Sequence, residues 1–417
     1  MKNKKRYRIL YVQKSQNGGS TLSLYELLRG LDRRIFNPVV LFHRPNSYDE
    51  MFKALGVKTI VMYNITPRNV SLKNSKRDIA KSLKSYSAYL SLIYRNMRQI
   101  YLFLKNDLAA IHVISKILKT EHIDIVRHNN SLPKNRSAVI AARMNKIPQV
   151  CHVRMFHDLS IVEKVIAKWI HSFIYISNAI KKCYLKQNIP LAKGRVIFNP
   201  VNGEITIDKD QVDMLRTEFG LTTHDRLIIN VGRLDWWKGH DYFIKAMSKV
   251  FRHETRIKAL IVGPIVSTPI CLDYYNRLLQ LIKDEQLTNK IVFTGFRSDI
   301  PQLLAASDIV VHSSSEPEPF GRVIVEGMLA GRPVVATAGG GVFDIIEDQV
   351  TGLLVPMKDA NAMAEAISYL LNSPKNAYKI GSQAQLSAQR RFNVSKHVKD
   401  VQNVYQQIIE CSQRQRG

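Results

Sequence analysis

Cysteine is scarce: four residues in 417, Cys151, Cys183, Cys271 and Cys411, none spaced like a metal finger or a redox pair. That argues against a disulfide framework and for a reducing compartment with structural thiols. No Asp-x-Asp pair or His/Cys cluster is read as a metal site, so no metal and no cofactor are expected. Long apolar runs are missing too. Ile9-Leu10-Tyr11-Val12 follows a basic start but stops at Gln13-Lys14, too short for a signal-peptide core or a membrane span. We read it as a first buried strand, and expect a cytoplasmic protein, with a peripheral place on the inner face of the cell membrane left open. There is no internal repeat or low-complexity linker. Acid is scarce in the first half: residues 1–200 carry 36 Lys/Arg against 10 Asp/Glu, and residues 201–417 carry 25 against 24. A one-sided excess of this size attracts an anionic partner: a membrane leaflet, an acidic acceptor or nucleic acid.

With 45% hydrophobic residues the chain can bury a large core, and its length suggests at least two domains. Short apolar runs at Arg8–Val12, Val39–Phe42, Lys58–Tyr63, Ile123–Arg127, Gln149–Val153 and Phe173–Ser177 read as strands. Helical patterns such as Thr21–Leu31 and Arg136–Met144 lie between them. This alternation predicts a mostly parallel sheet covered on both faces, with ligands beyond the carboxyl ends of its strands. After the first strand, Gly18 and Gly19 allow close backbone approach and Ser20 can cap the next helix; an ordinary strand-to-helix turn is the plain alternative. Between residues 66 and 120, Tyr86, Tyr89, Leu90, Ile93, Tyr94, Met97, Ile100 and Tyr101 recur at steps of three and four among Lys and Arg. That stripe suits a membrane interface or simply a surface helix packed on the core.

The chain is organised around Ser313-Ser314-Ser315-Glu316-Pro317-Glu318-Pro319-Phe320-Gly321-Arg322-Val323-Ile324-Val325-Glu326. The strand Ile309–His312 precedes it, and a helix begins near Gly321 to Val323 and stops at Gly331. A helix start offers backbone N–H groups and a positive dipole end to a phosphate. Glu318 and Glu326 flank that start, and each carboxylate can accept hydrogen bonds from a vicinal diol. The plain alternative has Glu318 capping the helix and Glu326 on its exposed face. Upstream, Leu227–Gly239 reads as a buried strand and a loop carrying Arg233 and Lys238, a planar fork and a point charge suited to a diphosphate.

Glu318-Pro319-Phe320-Gly321 through Glu326 resembles the E-x7-E motif of retaining glycosyltransferases, most closely those of family 4, which have the GT-B fold. Gly232-Arg233 and Lys238-Gly239 are similar to that family's G-R-x-x-x-x-K-G pattern. The resemblance implies an α/β GT-B architecture, two Rossmann-like domains facing each other across a cleft. It implies an acceptor-side domain over residues 1–200, completed by a C-terminal helix at 394–417 crossing back, and a nucleotide-sugar domain over residues 201–393. It further implies donor-sugar contacts by Glu318 and His152, a ribose contact by Glu326, and stabilisation of the leaving diphosphate by Arg233 and Lys238. Gly18, Gly19, Gly263, Gly295, Phe320, Gly321, Arg322 and Val323 would line the substrates. The family's usual Glu is replaced by Asp344 in Gly339-Gly340-Gly341-Val342-Phe343-Asp344. The expected partners are a nucleotide-sugar donor and a glycan or lipid-linked acceptor of cell-surface polysaccharide synthesis, with no nucleic acid. A nucleotide-sugar epimerase on a related fold would share the phosphate cleft, though E-x7-E fits it less well. A polyanion-binding protein would explain the basic half alone.

Overall fold

The structure is a computed structural model that describes residues 6–14, 18–45, 47–62, 97, 101, 107–190, 194–202 and 208–414. Most of the basic, tyrosine-bearing stripe read between residues 66 and 120 lies outside the described residues. The chain clusters into two compact units: Met1–Ile176 with Ile180–Ile197 and Val398–Gly417, and Ser177–Ala179 with Phe198–His397.

The first unit is built on a seven-stranded sheet of β1 (Tyr7–Gln13), β2 (Phe36–Phe42), β3 (Lys58–Val61), β4 (Ile125–Asn130), β5 (Gln149–Val153), β6 (Ser172–Tyr175) and β7 (Gly194–Val196). Its order is β3-β2-β1-β4-β5-β6-β7 and every pairing is parallel. Strand order therefore reverses between β1 and β4, which opens a crevice at their carboxyl ends. Ile9 to Val12 and Val39 to Phe42 are buried on both faces, as a covered parallel sheet requires. On one face Leu10, Val12, Val39 and Leu41 pack with Ile111, Ile114 and Leu118 of the helix Leu108–Thr120. On the other, Tyr11 and Phe36 meet Tyr405 of the helix Val394–Arg414, ring edges to faces at 6.4 and 5.6 Å.

Two local expectations are corrected. The fourth strand does not end at Arg127: β4 runs to Asn130 and all six of its residues are buried. Charge alone does not stop a strand when neighbouring elements supply polar partners. Nor does Ser20 cap the first helix, which spans Gly19–Gly30 and has Gly18 at its N-cap with φ 113° and no side-chain cap. Gly18 takes the left-handed turn without a Cβ clash, so the cap position moves ahead of Ser20.

The second unit carries six parallel strands, β8 (Arg226–Val231), β9 (Ile257–Val262), β10 (Ile291–Gly295), β11 (Ile309–His312), β12 (Val334–Thr337) and β13 (Leu353–Val355), in the order β10-β9-β8-β11-β12-β13. Order reverses here between β8 and β11. Ile228, Val311 and Val335 form the sheet's side of a core with Phe243, Ile244 and Met247 of the helix His240–Val250 and Met363 and Ile367 of the helix Ala360–Asn372. An Asp-x-Asp does occur, at Asp208-Lys209-Asp210, but Asp208 caps the helix Lys209–Glu218 by accepting from the Asp210 backbone.

Candidate functional site

The loops that follow β8 and β11 meet at the second unit's reversal point. Their backbones are tied together: Ser315 N donates to Trp237 O at 2.9 Å, and Ser313 Oγ donates to Lys238 O at 2.9 Å. This brings Lys238 Nζ to 2.8 Å from Glu318 Oε2. Ser314 Oγ donates to the same oxygen at 2.9 Å, and His312 Nε2 lies 3.3 Å away. The Trp237 ring supports the Lys238 ammonium at 4.2 Å. Glu318 is only 8% exposed. Burial alone would raise its pKa, but Lys238 and the His312 hydrogen bond hold it well below the usual carboxylate range. Glu318 is thus an ionised, acceptor-only group at neutral pH. It is not a helix cap: the helix Arg322–Leu329 starts from Gly321 in the left-handed region with no side-chain cap.

The Glu318 loop is fixed by close backbone approach. Gly340 has φ +66°, and a Cβ there would stand 2.1 Å from the Glu318 carbonyl oxygen. The adjacent Gly341 N donates to that oxygen at 2.7 Å. Glu326, one turn into the helix, accepts from Arg322 Nε at 2.7 Å, and Arg322 also reaches Pro200 O at 3.4 Å. Val323 is half-buried in the helix's first turn. The Phe320 ring is buried between Phe198 and Phe392, so Phe320 serves the core and offers a substrate only its backbone.

Arg233 is the solvent-facing member of the set, its side chain 59% exposed and 3.7 Å from Asp235. Its turn is buttressed by a residue that the sequence analysis missed. His240 Nε2 lies 3.1 Å from the Arg233 carbonyl, and His240 Nδ1 lies 2.8 Å from Asn230 Oδ1. Burial lowers the His240 pKa to about 4, so the ring is neutral at pH 7. His312 and Ser314 were missed as well. A polar run at the end of a buried strand, His312-Ser313-Ser314, was the available signal. Gly263 and Gly295 close β9 and β10, joined by a 3.0 Å hydrogen bond from Gly263 N to Gly295 O. Asp344 does replace the expected Glu, and its carboxylate accepts from the backbone and side chain of Asn178 at 2.6 and 2.7 Å. A cavity of about 580 Å³ opens beside Trp236, Tyr242 and Glu316, but neither Lys238 nor Glu318 lines it. The carboxylate–lysine pair marks the site better than that volume does.

Three of the expected site residues lie in the first unit. Gly18 and Gly19 are exposed at the carboxyl end of β1. His152 is fully buried in β5, its Nδ1 in short contact with Arg127 Nη2 and 3.3 Å from Arg154 Nη2. Among the described residues no group of three or more His, Cys, Asp or Glu could hold a metal, and no helix is long and apolar enough to cross a membrane.

Comparison with known proteins bears on both units. Residues 17–204 match the family model described as Glycosyltransferase Family 4, and residues 212–387 match Glycosyl transferases group 1. An N-acetyl-alpha-D-glucosaminyl L-malate synthase of Bacillus anthracis is 22% identical over 332 residues, 77% of this chain and 84% of that protein. An uncharacterized glycosyltransferase of Methanocaldococcus jannaschii is 29% identical over 54% of this chain and 57% of its own length. Among solved structures, Anabaena HepE in complex with UDP superposes with TM-score 0.78 at 25% identity, covering 96% of this chain and all of that one (100%).

Proposed function

Since the chain belongs to family 4 of the glycosyltransferases and works as a glycosyltransferase of the GT-B fold, we propose that it transfers a sugar from a nucleoside diphosphate donor with retention at the anomeric carbon. The bond from anomeric carbon to phosphate oxygen breaks, and a bond from that carbon to an acceptor hydroxyl oxygen forms on the same face. The departing phosphate oxygen takes the hydroxyl proton, so no side-chain nucleophile is required. Arg233, Lys238 and the helix start at Gly321 to Val323 stabilise the negative charge growing on the diphosphate, which a water-poor site makes worth more. They present positive charge to it, and we infer a reaction that runs without a metal. Glu318 accepts from hydroxyls of the transferred sugar, Glu326 from the ribose, and His152 donates to substrate from the first unit.

The observation that carries this reading is the buried, ionised Glu318 paired with Lys238 beside an uncapped helix start. A stability-driven core has little use for such a pair, since desolvation offsets most of its attraction. Because HepE was solved with UDP, a uridine diphosphate sugar is the first donor to try. The basic first half supports an anionic acceptor, a lipid-linked or cell-surface glycan at the inner membrane face. Flotation with anionic vesicles at low salt tests that surface, and absence of binding removes it.

Calorimetric titration with nucleoside diphosphates and their sugars tests the core of the proposal on wild type and Glu326→Ala. Selective binding of one base, weakened in the variant by about 1.5–3 kcal/mol, supports it, because that is the loss expected for a charge-assisted hydrogen bond. No selective binding, or a variant indistinguishable from wild type, removes the assignment of Glu326.

A further inference from the structure

We propose that Tyr405 and Arg127 are positioning residues: a Tyr405–Arg127–His152 relay fixes the His152 imidazole with its proton on Nε2. The last helix then belongs to the reaction machinery of the first unit as well as to its core. This rests on the reading of His152 as a group that touches substrate.

The relay follows from strand alternation. In β4, Arg127 and Asn129 face the same way, and Asn129 pairs in register with His152 of β5. Arg127 pairs in register with Tyr11 of β1, so these side chains share one face of the sheet. The helix Val394–Arg414 covers that face through Tyr405. Arg127 is 0% exposed. Its Nη1 donates to Tyr405 Oη at 2.7 Å, its Nη2 contacts His152 Nδ1, and its guanidinium lies 5.6 Å from the centre of the Tyr11 ring.

A guanidinium has donors and no acceptor, so His152 Nδ1 has to accept. The ring proton then sits on Nε2, because the hydrogen bond at one imidazole nitrogen decides the tautomer at the other. Arg154 enforces the same choice, with Nη2 3.3 Å from the same Nδ1 and Nε donating to Asn129 Oδ1 at 3.0 Å. The network continues through Asn129 Nδ2 to Gln13 Oε1 at 2.5 Å and Gln13 Nε2 to Thr21 Oγ1 at 3.0 Å, reaching the helix that starts after Gly18. Burying a cation at the centre of a sheet costs desolvation that an apolar residue would avoid. A phenol and an imidazole are the partners given to Arg127, and orienting that imidazole is the return on the cost.

The full-length chain with Tyr405→Phe tests the relay, because the ring contacts stay and only the hydroxyl goes. Arg127→Lys keeps the charge and loses the fork. Nitrogen-15 spectra of labelled histidine, with His152 assigned by difference from His152→Ala, read the tautomer without any substrate. The expected result is an Nε2–H imidazole in wild type, perturbed in both variants. In parallel, kcat should fall at least about ten-fold in Tyr405→Phe, the lower bound for a hydrogen bond from a charged donor, and at least about fifty-fold in Arg127→Lys, with the donor KM unchanged. A proton on Nδ1, or a Tyr405→Phe chain with wild-type spectrum and kcat, overturns the proposal. A His152→Ala chain with undiminished rate overturns it too, while leaving the transferase reading to the nucleotide titration. Unfolding curves separate these outcomes from loss of fold.

Discussion

Replacing Lys238 by Ala should weaken the second unit as well as its chemistry. The Lys238 and Glu318 side chains are 17% and 10% exposed, and the ammonium stands 2.8 Å from the carboxylate. Without Lys238 the carboxylate keeps Ser314 and His312 but loses its nearest cation. Breaking a buried pair from one side costs about 3–5 kcal/mol, and the residual solvent access here favours the lower end, about 3 kcal/mol. Glu318→Gln removes the charge instead, so Lys238→Ala on that background should cost about 2 kcal/mol less than on wild type. Urea unfolding at pH 7.5, followed by tryptophan fluorescence, reads this cycle well, since Trp236 and Trp237 adjoin Lys238. The pH dependence has a definite sign. The folded Glu318 pKa is depressed, so its stabilisation is complete above the ordinary carboxylate range and fades as pH falls below it. A Lys238→Ala chain within about 0.5 kcal/mol of wild type, with no coupling in the double variant, refutes the argument.

Gly340→Ala should cost about 3 kcal/mol or more and abolish transfer, because its Cβ would meet the Glu318 carbonyl at 2.1 Å on a left-handed residue; thermal unfolding and product formation measure both. His240 makes the second unit acid-sensitive. Its folded pKa is about 4 against an ordinary value near 6.5, so the unfolded chain binds more protons between those values and stability is lost as the pH is lowered through them. Between pH 7.5 and 5 that one ring should account for about 2 kcal/mol, and His240→Asn should flatten the urea-midpoint profile by that share.

The sequence shows the alternating strands, the helix start at Gly321 and the Glu318–Glu326 spacing, because each is a local pattern. Ile309 to Glu326 is a strand, a turn-rich loop and an amphipathic helix in unbroken succession, and the structure keeps those limits. What escaped was the pairing of polar side chains. His312 and Ser314 stand six and four residues before Glu318, but a run of polar residues does not say which of them will meet the carboxylate. Lys238, eighty residues away by sequence, reaches the same oxygen because β11 lies beside β8. Arg127 looked like the end of a strand, since a cation inside an apolar run normally faces water. Its partners come from residues 152 and 405, and no window of the sequence contains them. Phe320 was expected against substrate because the family resemblance runs through it between Glu318 and Glu326, yet its partners Phe198 and Phe392 draw it into the core.

Tyr405 also bears on how the protein forms during synthesis. From Val398 onward the chain packs with the first unit, although the stretch Phe198–His397, made before it, belongs to the second. On the ribosome, domains usually close in the order in which they emerge. Here the first unit must wait, with the sheet face of Tyr11, Phe36 and Arg127 uncovered, while the second is translated and free to collapse. For that interval a chaperone has an aromatic face to hold, and the nascent chain has one to lose to aggregation.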